Sequence, residues 1–313
     1  MDAARTTASL PIGERQADQA PVHWQRASRR EIVALCLYFA IAIAAADALN
    51  VRTGVEFMTL ALLLAAAVSR RLVPFLRDWW FFLVGLLVWG LGGPIVLNSP
   101  FPQHLDFMLN VDTFLLFGHN PVSSLQHALL NPNTVGPVDI LTIVVYKMHL
   151  PEPFMVGYVL WRLDRAVYFQ FAAVVLIFLI IGFITMFLFP AVPPWMASEW
   201  LHRVPGIINR YRITANYPVP YFGGPLAGRF PWAPAAAVPS QHAGFPLIEL
   251  LAFSQVSKAM AVVLAGWVAL VLFTVVYLGE HWVTDALVGW VYAAAVFFLV
   301  RAYCRRGRAQ EAP

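Results

Sequence analysis

Apolar residues run along this chain in long stretches, separated by short clusters of arginine, proline and aspartate. The stretches at 31–49, 55–68, 79–97, 138–161, 166–189 and 282–300 each read as a helix crossing a membrane. The stretch 243–276 reads as a hairpin of two antiparallel helices divided at Ser257 and Lys258. Each arm holds roughly 17 residues, close to the shortest length that spans a bilayer. The fourth stretch contains HLPEP at 149–153, and two prolines so close together break or kink a helix. Such a break persists at membrane depth only where protein or a wet cavity covers the backbone. Residues 105–130, LDFMLNVDTFLLFGHNPVSSLQHALL, place apolar side chains at helical spacing interrupted by Gly118, Asn120 and Pro121. They are expected to form one or two amphipathic helices on the outer surface.

Composition narrows the class. Hydrophobic residues make up 60% of the 313 residues and charged residues only 12%, about half the charge of ordinary soluble domains. The expected fold is therefore all-α, a polytopic transmembrane helix bundle of about eight spans with amphipathic surface helices. Residues 1–28 read as a disordered cytoplasmic tail, 29–302 as one transmembrane domain, and 303–313 as a basic cytoplasmic tail. The net charge of +4 is spread over clusters between spans, so no stripe suited to nucleic acid results. Cys36 and Cys304 have no plausible mutual pairing, and no cluster of metal-ligand spacing is present. No metal and no cofactor is expected.

Arginine and lysine fall on alternate connections, which places both termini in the cytoplasm. No Lys or Arg occurs from 98 to 146. The long connection 190–239 also falls outside, yet it carries Arg203, Arg210, Arg212 and Arg229. Cations concentrated against the positive-inside rule call for an anion to meet them. Each arginine taken singly reads equally as a solvated loop charge.

The chemistry gathers at the two ends of the hairpin. At one end is VPSQH, with Pro239 suited to a first helical turn, Ser240 suited to cap it, and His242 following. A helix N-terminus offers backbone N–H groups and a positive dipole end to an anion. At the other end is YLGEHWVTD, in which Asp285 follows His281 by four positions. Down-and-back helices return the chain to one face, so His242 and His281 should meet there. A carboxylate that takes one ring proton leaves the other imidazole nitrogen free to attack phosphorus.

These two stretches resemble the second and third signatures of the type 2 phosphatidic acid phosphatase superfamily, PSGH and SRxxxxxHxxxD. The resemblance is sharper to its fungal inositol phosphorylceramide synthase branch, through FPAVPPWM at 189–196, LFGHNP at 116–121 and YKMHLPEP at 146–153. It implies a six-helix phosphatase-like core within the bundle and an integral-membrane phosphotransferase acting on a phospholipid or lipid-linked phosphate. It implies His281 as a nucleophile that becomes phosphohistidine, Asp285 as its orienting partner, and His242 as the acid for the leaving alcohol. The site would lie at the extracytoplasmic face, with a membrane lipid as substrate and an alcohol or water as acceptor.

Departures from the family pattern are specific. Gln241 stands between the serine and histidine of the second signature, Glu280 precedes His281, and Thr274-Val275 occupies the Ser-Arg position of the third. The first signature, KxxxxxxRP, has no recognisable counterpart, since Lys147 is followed at the seventh position by Phe154. Phosphate binding must then fall to other groups: Arg203 first, then Arg210, Arg212 and Arg229, with Lys147, His149 and Ser240 as further candidates. A lipid phosphatase using the same residues, with water attacking the phosphohistidine, is the alternative. A proton-relaying transporter fits less well, because the charges gather at one face and no inverted repeat is evident.

Overall fold

Helices begin and end in this chain where local hydrogen bonds satisfy their open ends. The computed structural model describes residues 26–48, 55–131, 133–149, 151–209 and 235–310. In order the elements are α1 (Arg29–Ala48), α2 (Val55–Val68), α3 (Leu72–Gly90), α4 (Gly93–Leu97), α5 (Asp106–Leu115), α6 (Pro121–Leu129) and α7 (Pro137–Lys147). Then come α8 (Glu152–Leu163), α9 (Arg165–Leu188), α10 (Pro194–Glu199), α11 (Gln241–Phe253), α12 (Lys258–Tyr277) and α13 (Val283–Gln310). The fold is an all-α membrane helix bundle.

The side-chain caps are the residues that local chemistry favours. Asn120 accepts from the Ser123 N–H to start α6, Asp164 accepts from Ala166 and Val167 to start α9, and Ser257 accepts from Met260 to start α12. Each such cap contributes ~1 kcal/mol. The HLPEP segment divides α7 from α8, as two prolines in one turn require.

Among the described residues four segments are long and apolar enough to cross a membrane: Leu72–Leu97, Arg165–Leu188, Lys258–Tyr277 and Val283–Gly307, with Val55–Val68 a shorter apolar helix. The hairpin arms differ from the equal lengths expected, because α11 has 13 residues and α12 has 20. The reason lies in packing. α11 runs inside the bundle against α8, α9, α12 and α13, and a helix enclosed by protein has no need to match the bilayer. At Gly244 a β-carbon would come within 2.2 Å of the Phe178 ring, so a small residue is what lets α11 reach α9.

At one end of the bundle α3, α8 and α9 close over an aromatic cluster in which Phe75, Trp79, Phe82, Tyr158, Trp161, Tyr168 and Phe171 are fully buried. Asp78 accepts two hydrogen bonds from Arg165 at 2.6 Å and one from the Trp161 indole at 3.0 Å. Arg162, in the last turn of α8, is buried and paired with Glu31 at 3.2 Å. These contacts fix the scaffold at the end away from the histidines.

At the other end, α5, α6, α10 and the extended backbone around Ala191 form a lid of short elements. Ala191 bridges in parallel to both His104 and Ala236, and the His104 ring stacks on Phe189 at 3.8 Å. The FPAVPPW segment is thereby held beside the chain that enters α11.

Candidate active site

Ser240 is the N-cap of α11. Its hydroxyl accepts from the Ala243 N–H at 3.2 Å, and its own N–H donates to the Asp285 carbonyl at 3.0 Å. Ser240 caps the helix as its sequence suggested, while Pro239 precedes the cap and lies outside the first turn where the sequence reading had put it. The start of α11 and the start of α13 are thus joined by backbone. They approach closely because position 289 is glycine: a β-carbon there would lie 2.4 Å from the Ser240 carbonyl oxygen.

His242 follows in the first turn of α11. Its imidazole lies between two rings, Tyr146 at 4.4 Å and 14° on one side and His149 at 3.8 Å and 29° on the other. His149 also stacks toward Phe245 at 5.1 Å. Tyr146 comes from the last turn of α7 and His149 from the break between α7 and α8.

His281 does not sit on a helix. It closes a turn after α12, where the Glu280 and His281 N–H groups both donate to the Val275 carbonyl. Gly279 makes this turn at φ +76°, a left-handed conformation that glycine adopts without strain. Its carbonyl accepts from the Trp195 N–H at 3.0 Å, so the FPAVPPW segment braces the turn directly. The Trp282 indole adds a bond to the Val192 carbonyl at 2.8 Å.

The pairing of His281 with Asp285 therefore differs from a same-face pair on one helix. α13 starts at Val283, and Asp285 reaches back from its first turn to accept the Trp282 N–H at 2.9 Å. The same carboxylate oxygen lies 3.4 Å from His281 Nδ1. Across the site, His281 Nε2 is 3.3 Å from His242 Nδ1. Asp285 is completely buried and His281 nearly so, at 6% exposure.

Two positioning residues escaped the sequence reading. Asp112 of α5 is fully buried and accepts from the Val283 N–H at 2.9 Å, the Thr284 N–H at 2.7 Å and the Thr284 hydroxyl at 2.5 Å. It satisfies the open N-terminus of α13 and holds the whole helix start in place. Burial pushes its carboxyl up, and the bonds from Thr284 and Val283 oppose that shift. Gln126 of α6 donates to the carbonyls of Ile208 and Tyr277, both at 2.9 Å, and accepts from the Ile208 N–H at 3.0 Å. It ties the long loop to the turn that carries His281. The one available signal for Asp112 was a carboxylate on the apolar face of an amphipathic helix.

The substrate-binding candidates divide. Ser240 and His149 are in the site, and Lys147 is buried at the end of α7, one residue beyond Tyr146. Arg203 is exposed and paired with Asp106 at 2.8 Å. Arg210, Arg212 and Arg229 lie outside the described residues. Gln241 is buried against Gly182 of α9. Thr274 and Val275, at the Ser-Arg position, are fully buried in α12. Among the described residues no group of three or more His, Cys, Asp and Glu side chains is gathered as a metal ion would need.

Residues 107–299 match the family model of the PAP2 superfamily. The chain is 28% identical over 169 residues to the phosphoinositol dihydroceramide synthase of Bacteroides thetaiotaomicron, an alignment covering 48% of this chain and 52% of that protein. The chain thus spans about half the length of this curated relative. No solved structure matches it. The matched region of the family model contains every residue of the histidine cluster and both positioning residues, Asp112 and Gln126.

Proposed function

The chain belongs to the PAP2 superfamily, and from that premise we propose that it is an integral-membrane phosphotransferase that moves a phospho-headgroup from a lipid donor to an alcohol through a phosphohistidine. The observation that carries this reading is the meeting of His281 Nε2 with His242 Nδ1 at 3.3 Å, with Asp285 behind His281 at 3.4 Å. Asp285 selects the tautomer with a proton on Nδ1, so Nε2 keeps its lone pair. Across the gap, His242 Nδ1 is then the donor.

The steps follow from that assignment. The Nε2 lone pair of His281 attacks phosphorus, and the bond from phosphorus to the leaving alcohol oxygen breaks. The alkoxide takes the proton of His242, since an unprotonated alkoxide is a poor leaving group. The acceptor alcohol then gives its proton back to His242 as its oxygen attacks phosphorus, and the P–N bond breaks to restore His281. No proton is gained or lost over the cycle. In this reading the proton passes between His242 and the two alcohol oxygens, and no step calls on a metal.

The relative's name supplies the first pair to test: a phosphoinositol group from a donor lipid and a dihydroceramide acceptor. In this reading the site faces the extracytoplasmic side, with both termini in the cytoplasm. The test incubates the purified protein with phosphatidylinositol labelled in its headgroup, with and without a ceramide-type acceptor. Labelled phospholipid product appearing only with acceptor supports transfer. Release of label to water at the same rate in both arms makes the protein a phosphatase on the same residues, and no turnover in either arm overturns this donor.

A further inference from the structure

The far end of α5 carries large apolar side chains on its outside. Phe107, Phe114, Leu115, Leu116 and Phe117 are all exposed, Phe114 at 82% and Phe117 at 94%. Phe107 and Phe114 are seven positions apart and so lie two turns along one face of the helix. Met108 and Asp112, one turn apart, are buried on the other side. Asp106, Asn110 and His119 are exposed beside the rings. The outward face is therefore aromatic with polar margins.

The backbone of the tip adds a second observation. Phe117 has φ +53°, and the Gly118 N–H donates to the Thr113 carbonyl at 2.8 Å. This is the closing bond of a Schellman-type helix end, in which glycine is the usual residue at the left-handed position. A phenylalanine there is uncommon. Its ring, almost wholly exposed, gains no burial among the described residues to offset that conformation.

The patch leads into a face that a bilayer must cover. Along α9, Ile177, Ile180, Ile184 and Leu188 are exposed at helical spacing, and α9 is long and apolar enough to cross a membrane. Where α9 ends, Phe187 meets Phe101 edge-on at 5.9 Å, and Phe189 meets Phe107 at 6.4 Å and 88°. Lipid that covers α9 thus reaches the rings of α5. Aromatic rings bordered by polar groups suit the boundary between headgroups and acyl chains. On the opposite side of the same helix, Asp112 accepts from the Val283 and Thr284 N–H groups at the start of α13. So α5 has lipid-seeking rings on one side and the acceptor for the α13 start on the other.

We propose that the aromatic tip of α5 seats in the headgroup–acyl boundary of the bilayer, and that this lipid contact, passed through Asp112, holds the start of α13 at the histidines. The occupant of the patch is bilayer lipid, because the patch is continuous with the lipid-facing stripe of α9.

The test uses the full chain in phosphatidylcholine nanodiscs, with Cys36→Ala and Cys304→Ala removing the two native thiols. Phe114→Cys and Phe117→Cys each receive a nitroxide spin label. Molecular oxygen, which concentrates in lipid, should relax both labels more than a water-soluble nickel chelate does. The reverse ranking at both sites overturns the seat. Dipolar broadening that disappears on dilution with unlabelled protein makes a second copy the occupant and also overturns it. The coupling is read by hydrogen exchange in Phe114→Ser/Phe117→Ser. Exchange in the peptide spanning 282–288 should rise about tenfold or more. The Tyr168 N–H, bonded to the Asp164 carbonyl at 2.9 Å in the start of α9, should exchange as in the parent. Unchanged exchange at 282–288, or an equal rise at Tyr168, overturns the link through Asp112. Should the double variant fail to fold, Phe117→Ser alone carries the same expectation. None of these readouts uses turnover, so the phosphotransferase reading can fail while the lipid seat stands, and the reverse.

Discussion

His281 Nε2 lies 3.3 Å from His242 Nδ1, although 39 positions separate the two in the chain. Each ring arrives at that point by a different route. His242 is delivered by the capped start of α11 and clamped between Tyr146 and His149, while His281 is delivered by a glycine turn at the end of α12. Neither route alone makes a site; the backbone bond from Ser240 to Asp285 joins them.

His281→Ala should abolish turnover while leaving the inserted fold intact, because the proposed mechanism gives His242 the role of acid and leaves no second nucleophile. Headgroup transfer measured beside thermal unfolding in detergent checks this. A rate above about a tenth of the parent's would remove His281 from the role of nucleophile.

Asp285→Asn should lower kcat by about 10²–10⁴-fold with donor affinity little changed, since the nucleophile remains but its tautomer is no longer fixed. The amide can still accept from the Trp282 N–H, so the helix start survives. Lipid binding measured beside kinetics separates the two effects. An unaltered kcat would mean that the 3.4 Å approach to His281 has no catalytic meaning.

Asp112→Ala leaves three donors at the start of α13 without their acceptor. Buried donors stranded in this way cost on the order of 1–3 kcal/mol each. The variant should lose several degrees of Tm and lose kcat together, and Asp112→Asn should recover part of both. Full activity with a lowered Tm would confine Asp112 to stability.

Cysteine labelling with a membrane-impermeant reagent tests the orientation. Ser124 on α6 and Ser254 after α11 are both exposed and lie in connections assigned to opposite sides. Ser124→Cys should label from outside in intact cells and Ser254→Cys only after permeabilisation. The reverse result would put the histidine cluster at the cytoplasmic face.

The loop arginines should be unequal. Arg203 is exposed and already committed to Asp106 at 2.8 Å, so Arg203→Gln should change kcat/KM by less than about threefold. At least one of Arg210→Gln, Arg212→Gln and Arg229→Gln should cost on the order of 2–4 kcal/mol of transition-state stabilisation, the scale of a lost oxyanion donor. If all four stay within a few-fold of the parent, Lys147 becomes the cation to change next.

Much of this architecture was legible before any coordinates. Caps and breaks are local chemistry, so Ser240, Ser257 and HLPEP marked their helix ends from sequence, as did Asn120 with Pro121. The apolar runs showed an all-α membrane bundle, because a bilayer imposes length and composition on any segment that crosses it. Two histidines brought to one face followed from a hairpin. What the chain did not disclose is which side chains meet between helices. Asp112 reaches Thr284 over 172 positions, and the stack of Tyr146, His242 and His149 depends on how α7, α8 and α11 rotate against each other. Rotation about a helix axis is set by packing with every neighbour at once, as where Gly289 admits the Ser240 carbonyl. For a helix such as α11, apolar on nearly all sides, the local pattern names no preferred face. Only the assembled bundle decides it.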